Sequence, residues 1–368
     1  MRALSIQTEG GGEVLKGTVK RENSYHLVEP VLSEMELHAI FNLCERVSTY
    51  RMASAEISST EIGAGLPERF ECFYDLARKR GHENEQPYDP THVDWLDFDR
   101  AFTCQFRETY VDLSFVAREE SKYPEADPVL YHEAFISGAR ELLDRPVVVP
   151  VAALANLYVA GQWLGPHTDI TEYRGINRST TPQWLLICMH HSRLFDEWRL
   201  RIATAVNFFN VCEGGEFRFY PNGAAEPPVI TAKRNNTALL MDADSIFHEV
   251  RPVYRPDGRQ APLLRGQILK FGDDRKWHVI NGDGEVIETY DWGGVRFTVS
   301  WKGYCFRDEA EQRAWAEHSD DLSMEFILER LTDDLLERGL LKVRNPDNVT
   351  MARAIVDAYY HAPPIEYH

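Results

Sequence analysis

The sequence predicts an α+β protein with a mainly β core, an antiparallel sandwich or barrel flanked by helices on both sides. From about residue 147 to 306, short runs rich in Val, Phe, Tyr and Thr are separated by Gly, Asn, Pro or Asp. This pattern is typical of strands joined by turns. Outside that zone, apolar residues recur at helical spacing. The 368 residues, of which 43% are hydrophobic, suffice to bury a large core.

The N-terminal part, residues 1–146, is predicted to be a mixed helical region that packs on this core. Ser33 precedes EMELHAIFNLCERV, whose apolar positions share one helical face, so we expect a helix capped at Ser33. A second helix is predicted over YHEAFISGARELLDR, which ends just before Pro146. The polar residues 82–94 between these helices are expected to form a surface loop or a lid.

The core is predicted to span residues 147–306. Its longest β-rich runs are VVVPVAALANLYV, RIATAVNFFNV, TALLMD and VRFTVSWKGYCF. Asn281-Gly282 and Asp283-Gly284 lie between two alternating runs, which predicts a hairpin near 277–291. Thr181-Pro182 before QWLLICMHHSRLF favours a helix capped at Thr181, with a strand as the alternative.

The C-terminal part, residues 307–368, alternates charged and apolar residues at helical spacing and is predicted to form amphipathic helices. These helices are expected either to cap the core or to mediate a homodimer.

The composition disfavours some classes of binding partner, namely nucleic acids and membranes. With 40 Lys and Arg against 58 Asp and Glu, the formal charge is −18, which disfavours nucleic acid because such binding depends on neutralising phosphates. There is no apolar run long enough for a membrane span, and the N-terminus lacks the apolar stretch of a secretory signal. Six cysteines without CxxC spacing are expected to be reduced thiols. We therefore expect a cytoplasmic protein.

The sequence contains three His-x-Asp pairs, His92/Asp94, His167/Asp169 and His318/Asp320. About two such pairs with an acidic third residue are expected by chance from 13 His and 58 acidic residues, so only the context is informative. Only His167/Asp169 follows a β-rich run and a glycine turn; the other two pairs lie in polar or charged segments. Residues i and i+2 of an extended strand share a face, so this pair together with a distant histidine could form the facial triad that holds non-haem Fe(II).

The surrounding motifs resemble those of the Fe(II)/2-oxoglutarate-dependent oxygenases. Asn156-x-Tyr158-x-x-Gly161-x5-His167-x-Asp169 is similar to a pattern of that superfamily, and its Tyr-x-x-Gly part to the prolyl-4-hydroxylase-like branch. RIATAVNFFNVCEGGEFRFYPNG resembles a strand–Gly-Gly–strand element of that branch, and NNTALLMDADSIFHEVRPV resembles the stretch with the second histidine ligand, here His248. The likeness covers roughly residues 150–306.

The resemblance implies a double-stranded β-helix (jelly-roll or cupin-like) fold and a ligand set for iron. Fe(II) would be held by His167, Asp169 and His248, and O2 and 2-oxoglutarate would be co-substrates. Arg296, in RFTVSWK, would bind the distal carboxylate of 2-oxoglutarate, aided by Tyr158 and Asn156. Arg296 lies 48 residues beyond His248, further than is usual in the family, and the predicted hairpin accounts for the extra length as an insertion. Arg265 is the alternative.

The resemblance further implies hydroxylation of an unactivated C–H bond with release of succinate and CO2, although desaturation or cyclisation uses the same ligands. The substrate is expected to be a small metabolite, either an amino-acid derivative or a natural-product intermediate. A protein or carrier-bound aminoacyl substrate is the alternative, and a barrel that binds a ligand without catalysis is the alternative of another class. Arg218, Tyr220 and Trp301 are candidate substrate contacts, and loops 82–94 and 170–181 are candidate lids.

Overall fold

The computed structural model describes residues 18–21, 24–52, 61–62, 66–67, 105–113, 123–177, 181–223, 226–231, 235–255, 257–258, 263 and 266–359. The chain divides into two compact units. The first unit comprises Met1–Ser54, Phe102–Thr168 and Ile202–Arg307, and the second comprises Ala55–Ala101, Asp169–Arg201 and Asp308–His368.

The strands, in chain order, are β1 Thr18–Arg21, β2 Tyr25–Glu29, β3 Thr49–Met52, β4 Glu61–Ile62, β5 Leu66–Pro67, β6 Phe106–Asp112, β7 Val147–Val159, β8 Leu164–His167, β9 Glu172–Tyr173, β10 Arg199–Phe208, β11 Phe217–Tyr220, β12 Val229–Ile230, β13 Thr237–Met241, β14 Phe247–Val250, β15 Ile268–Phe271, β16 Trp277–Ile280, β17 Val286–Tyr290 and β18 Val295–Phe306. The helices are α1 Glu34–Val47, α2 Asp127–Leu130, α3 Glu133–Leu143, α4 Gln183–Ser192, α5 Glu309–Glu317, α6 Met324–Glu337 and α7 Asn348–Tyr359, with short 3-10 turns at Pro124–Ala126 and Trp292–Gly294.

One large antiparallel sheet organises the first unit. Its strand order is β1-β2-β13-β10-β18-β7-β6-β3-β15-β16-β17, and β9 pairs with the start of β10. The long strands β7 and β18 pair along their whole length, with Arg296 opposite Tyr158 and Thr298 opposite Asn156. Directly opposite residues share a face, so these four side chains lie together on one side of the sheet.

The two faces of the large sheet have different neighbours. On one face, apolar side chains of β6, β7, β16 and β18 form a core with residues of α1 and α3, including Phe135 and Trp301. On the other face, Tyr158 and residues of β10 and β13 form a second cluster with Phe217 and Phe219 of a smaller sheet. This smaller sheet has the strand order β12-β11-β14-β8.

The observed fold is mainly antiparallel sheet with helices, and the prediction of a mixed α+β class is confirmed. The predicted helices at Ser33 and before Pro146 are present as α1 and α3, and Ser33 forms a capping box with Glu36. The predicted hairpin near 277–291 is formed by β16 and β17. The candidate lid at 82–94 lies outside the described residues.

The predicted cap of α4 is displaced by one residue. The helix is present, but its N-cap is Pro182, whose φ of −54° and ψ of 133° are extended. Because Pro182 has this extended ψ, the helix begins at Gln183, and the prediction that Thr181 caps it is wrong.

The second unit is built around its helices. Its core contains apolar residues of α4, α6 and α7, with Trp184, Leu331 and Ile355 at 0% exposure. The predicted amphipathic C-terminal helices are therefore present as α5, α6 and α7. Within the part of the chain that the structure describes, we find no helix with both the length and the apolar character that a membrane crossing requires.

Candidate metal centre

Two of the three candidate iron ligands are cross-strand partners. His167 ends β8 and His248 lies in β14, and the two residues are directly opposite each other in the register. Their ring centroids are 4.2 Å apart at an interplanar angle of 53°. The ring of Phe217 stacks on His248 at 5.6 Å, so an apolar side chain supports the second histidine from the interior.

Both histidines are held in the same tautomer by their own backbone. His167 Nδ1 lies 2.7 Å from the carbonyl oxygen of Gly165, and His248 Nδ1 lies 2.9 Å from that of Ile246. A carbonyl oxygen can only accept, so Nδ1 carries the hydrogen in each ring. The lone pair of each neutral imidazole is then on Nε2, which is the arrangement of a metal-ligating histidine.

Asp169 completes a group of three potential ligands. One ligand atom each from His167, Asp169 and His248 lies within 4.8 Å of the others, and no other such group of three is found among the described residues. Two imidazole nitrogens and one carboxylate oxygen form the donor set of the non-haem Fe(II) facial triad. The structure therefore brings together the three residues that the sequence motifs single out.

Arg296 is a buried cation with unused hydrogen-bonding capacity. Its exposure is 4%, and its Nε donates to the carbonyl oxygen of Gly215 at 2.9 Å. Its guanidinium lies 5.1 Å from the ring centroid of Tyr158 and 5.5 Å from that of Phe208. Burial lowers the pKa of Arg296, but an arginine stays charged in proteins. Its Nη2 atom has no hydrogen-bond partner among the described residues.

A cavity lies beside this guanidinium. Its lining residues are Phe208, Asn210, Val211, Cys212, Gly214, Gly215, Glu216, Phe217, Thr231 and Arg296. Gly215 has a φ of +67°, and a Cβ atom at this position would lie 2.8 Å from Cδ of Arg296. A side chain at Gly215 would therefore both strain the backbone and displace the arginine.

Asn156 and Tyr158 are engaged with neighbouring side chains. Asn156 Oδ1 accepts from Gln105 Nε2 at 3.2 Å and from Arg107 Nε at 2.9 Å. Its Nδ2 donates to Ser300 Oγ at 3.1 Å, and the hydroxyl of Tyr158 donates to Gln105 Oε1 at 3.3 Å. Gln105 and Arg107 are not recognisable as site residues from the sequence, because QFRETYVD is too polar to indicate a core strand.

Arg218 and Tyr220 lie on the far side of the smaller sheet. Phe219, which alternates with them on β11, is the residue opposite His248, so their side chains point to the other face. There the hydroxyl of Tyr220 donates to Glu249 Oε1 at 3.1 Å, and Arg218 Nη1 is 4.0 Å from the same oxygen. Burial, followed by the nearby Glu249 charge, raises the pKa of Tyr220 to about 12.

Trp301 belongs to the hydrophobic core on the helical side of the large sheet. It is 0% exposed, and its Nε1 donates to the carbonyl oxygen of Leu130 at 2.7 Å. It lies on the face of β18 opposite to Arg296, because their positions differ by five residues. The structure therefore brings none of the three expected substrate contacts to the candidate metal centre. Arg265, the alternative to Arg296, lies outside the described residues.

Comparisons with known proteins give matches among solved structures alone. No family model matches the sequence, and no curated protein matches it significantly. A Pseudomonas putida prolyl-4-hydroxylase matches 77% of this chain and 93% of its own at 12% identity and a TM-score of 0.34. A Trichoplax adhaerens prolyl hydroxylase was solved with a peptide of hypoxia inducible factor. It matches 79% of this chain and 86% of its own, at 11% identity and a TM-score of 0.36.

HygX from Streptomyces hygroscopicus, solved with nickel and 2-oxoglutarate, matches 77% of this chain and 82% of its own at 10% identity and a TM-score of 0.34. All three structures share 12% or less of their sequence with this chain, and all three TM-scores are below 0.5.

Proposed function

We propose that this protein is an Fe(II)- and 2-oxoglutarate-dependent dioxygenase whose iron is held by His167, Asp169 and His248. The observation that carries the proposal is the convergence of these ligand atoms within 4.8 Å. The shared tautomer of the two histidines supports it, because each ring has its lone pair on Nε2. When bound, Fe(II) with 2-oxoglutarate and O2 supplies the oxidant that hydroxylates an unactivated C–H bond, with release of succinate and CO2.

Arg296 is proposed to bind the distal carboxylate of 2-oxoglutarate. A buried cation without a counter-ion is costly, and a carboxylate in the adjoining cavity would accept from Nη2 and remove that cost. The bond from Nε to Gly215 orients the guanidinium, and the rings of Tyr158 and Phe208 shield it from water. In a site shielded from water, a charge-assisted hydrogen bond contributes most to the affinity for the carboxylate.

Asn156 and Tyr158 are proposed to act beside Arg296. Tyr158 lies against the guanidinium, and Asn156 joins β7 to Arg107 and Ser300. Their hydrogen bonds hold the strands β6, β7 and β18 in register beneath the proposed 2-oxoglutarate site. Their role is therefore to keep the inner face of the sheet rigid around the co-substrate.

The catalytic core is proposed to be a double-stranded β-helix formed by residues 147–306, flanked by residues 1–146 and 307–368. The smaller sheet supplies His167 and His248, and the large sheet supplies Arg296. Apolar residues of both sheets pack into one cluster, which is how two facing sheets of such a barrel would enclose a site.

The substrate is proposed to be a small molecule that is hydroxylated. The carboxylate Asp169 completes the facial triad, which favours hydroxylation, and the net charge of −18 disfavours a nucleic acid.

Metal binding tests the ligand set directly. The metal-free protein should bind one equivalent of Co(II), with the visible spectrum of a six- or five-coordinate N/O site. His248→Ala should abolish this spectrum, whereas His278→Ala, which removes a histidine paired with Asp274 and Thr289 elsewhere in the first unit, should retain it. Equal Co(II) binding by the parent and His248→Ala would refute the ligand set.

A further inference from the structure

Cys212 places a thiol in the wall of the cavity beside Arg296. It is one of the residues that line this cavity, and its sulfur is not part of a disulfide. A Cβ atom built on Gly215 would lie 2.8 Å from Cδ of Arg296 and 3.3 Å from Sγ of Cys212. One small group at that point would touch both residues, so the thiol and the arginine are close neighbours.

The loop that carries Cys212, between β10 and β11, is held on both sides of the thiol. Asn210 Oδ1 accepts from the backbone N–H of Phe297 at 2.8 Å, which joins the loop to β18 next to Arg296. The carbonyl oxygen of Gly215 accepts from Nε of Arg296 at 2.9 Å. The position of Cys212 relative to Arg296 is therefore fixed by hydrogen bonds between the loop and β18.

The thiol lies in a positively charged place that opens to solvent. Cys212 itself is 8% exposed, but Val211, which precedes it and also lines the cavity, is 47% exposed. Burial lowers the pKa of Arg296, and attraction to the anionic forms of Tyr158 and Cys212 raises it, so the sulfur is within electrostatic reach of the guanidinium. Cysteines in positively charged, partly accessible surroundings are the ones that are oxidised selectively.

The other cysteines in the described part of the chain have different surroundings. Cys44, Cys188 and Cys305 do not line this cavity, and burial raises the pKa of each of their thiols. A thiol that stays protonated reacts slowly, because the thiolate is the nucleophile. Among these four cysteines, oxidation should therefore be selective for Cys212.

We propose that Cys212 is a redox modification site, and that its oxidation by a hydroperoxide closes the Arg296 site to 2-oxoglutarate. The sulfur attacks the O–O bond and takes one oxygen atom; the other leaves with the thiol proton as an alcohol or water. The thiol is thereby oxidised to a sulfenic acid and the hydroperoxide is reduced. A second equivalent of hydroperoxide oxidises the sulfenic acid to a sulfinic acid in the same way, and the sulfinic acid loses its proton to solvent.

The sulfinate would take the place of the co-substrate's carboxylate, so the inference rests on the proposed function. Like a carboxylate, a sulfinate is an anion with two acceptor oxygens. It has no hydrogen to donate and so loses the contact that the thiol makes with the carbonyl oxygen of Gly214 at 3.8 Å. Nη2 of Arg296, which has no hydrogen-bond partner among the described residues, would donate to it instead. Arg296 would then be neutralised and unable to bind the distal carboxylate of 2-oxoglutarate.

Oxidation of the Zn(II)-loaded protein tests this site. Zn(II) has no redox chemistry, so it does not turn peroxide into radicals at the metal centre. After treatment with hydrogen peroxide and removal of the excess with catalase, peptide mass spectrometry should show two added oxygen atoms on Cys212. Calorimetry should show that the affinity for 2-oxoglutarate has fallen about tenfold or more, as expected for loss of a hydrogen bond between charged groups. Saturating 2-oxoglutarate, added before the peroxide, should protect Cys212.

Two alanine variants are the matched controls. Cys212→Ala should have the same affinity for 2-oxoglutarate before and after peroxide. Cys305→Ala, which removes a buried thiol of β18 outside the cavity, should lose affinity on oxidation as the parent does. Unchanged affinity of a parent protein whose Cys212 is oxidised would overturn the proposal, as would an equal loss in Cys212→Ala or the absence of oxidation at Cys212.

A pair of substitutions of equal shape tests the contact with Arg296 without oxidation. Cys212→Asp places a carboxylate where the sulfinate would form, and Cys212→Asn places a neutral side chain there. Without 2-oxoglutarate, Cys212→Asp should melt at a higher temperature than Cys212→Asn, because its charge compensates that of Arg296. It should also bind 2-oxoglutarate about tenfold more weakly or worse. Equal melting temperatures and equal affinities of the two variants would overturn the proposal.

The untreated protein separates this inference from the proposed function. If the untreated Zn(II)-loaded parent does not bind 2-oxoglutarate, the proposed function is wrong, and the two melting temperatures still decide whether an anion at position 212 pairs with Arg296. If the parent binds 2-oxoglutarate and oxidation of Cys212 leaves the affinity unchanged, the redox inference alone is wrong.

Discussion

The candidate site depends on how individual side chains are oriented by their own backbone. His167 and His248 each place Nδ1 against the carbonyl oxygen two residues earlier in the chain. Neither ring therefore needs a separate partner to present Nε2. Asp169 follows His167 at the spacing that puts both side chains on one side of an extended segment. The ligand geometry is thus a local property of two short segments.

Arg296 should reduce stability until its ligand arrives. Replacing a buried cation that has no counter-ion among the described residues with an apolar residue of similar length removes a desolvation cost. Arg296→Met should therefore raise the free energy of unfolding of the ligand-free protein by about 1 kcal/mol or more, and it should abolish the stabilisation by 2-oxoglutarate. Chemical denaturation with and without 2-oxoglutarate measures both effects.

The matched control for Arg296 is Arg46→Met, on α1, whose side chain is 57% exposed. This variant should leave the free energy of unfolding and the stabilisation by 2-oxoglutarate within about 0.5 kcal/mol of the parent's values. A destabilised Arg296→Met protein that still responds fully to 2-oxoglutarate would show that Arg296 is a structural residue.

His190 should make the second unit sensitive to acid. Burial, and then the nearby charge of Arg199, lowers the pKa of His190 to about 3, so the unfolded chain takes up a proton below about pH 6.5 that the folded protein does not. Stability attributable to His190 is thus complete above pH 6.5 and is lost as the pH falls towards 3. Between pH 7 and pH 5 the free energy of unfolding should fall by about 1–2 kcal/mol more in the parent than in His190→Asn.

Urea denaturation at the two pH values measures this difference. A His190→Asn variant with an unchanged pH dependence would contradict the assignment.

The start of a helix can be stabilised by hydrogen bonds between residues close in the sequence, and such a cap is recognisable from the sequence. In α1, the hydroxyl of Ser33 accepts from the backbone N–H of Glu36, and the Glu36 carboxylate accepts from the N–H of Ser33. Ser33→Ala should lower the free energy of unfolding by about 1 kcal/mol, whereas Ser33→Asp, which keeps an acceptor, should lower it by a few tenths. Equal losses in the two variants would show that the cap does not contribute.

Arg174 joins the segment after Asp169 to the C-terminal helical region. Its side chain is 3% exposed and makes a bidentate contact with Asp320, together with an ion pair to Glu311 at 3.4 Å. Asp320 is the acidic residue of the His318/Asp320 sequence pair, so that His-x-Asp pair has a structural role. Replacing Arg174 would remove a buried cation from two carboxylates, Glu311, whose side chain is 10% exposed, and Asp320, whose side chain is 40% exposed.

Arg174→Met should therefore lower the free energy of unfolding by roughly 3 kcal/mol. Arg344→Met, which breaks an exposed pair with Asp333, should change it by less than about 1 kcal/mol. Thermal and urea denaturation of the two variants provide the comparison, and similar losses in both would contradict a special role for Arg174.

Helices, strands and turns were predictable from the sequence where the local signals are strong. The face of the sheet on which a side chain lies was not predictable, because it depends on how the strands pair. The cap at Ser33, the Asn-Gly and Asp-Gly turns and the β-branched runs of β7 and β18 are local features. The sequence predicts Trp301 and Arg218 as candidate substrate contacts because they lie on strands of the resembling motifs. Which face each one occupies is set by the register with β7 and β14, and no residue near them in the sequence reveals it.

At the scale of the whole molecule, the candidate site is assembled from strands that are far apart in sequence. β7 and β18 are adjacent in the large sheet, and β8 and β14 are adjacent in the smaller one. The pairing between His167 and His248 could be anticipated because both lie in recognisable motifs. The contacts of Asn156 with Gln105 and Arg107 could not, because β6 is a polar strand whose neighbours are known only from the folded sheet.

The central claim is that one site binds iron through His167, Asp169 and His248 and binds 2-oxoglutarate beside Arg296. Anaerobic titration of the metal-free protein with Fe(II) and 2-oxoglutarate tests it most directly, through the weak visible charge-transfer band of the chelated keto acid. We predict a band in the parent and in His278→Ala, and none in His248→Ala. Folded parent protein that binds iron and 2-oxoglutarate without this band, or a band of equal strength in His248→Ala, would contradict the claim.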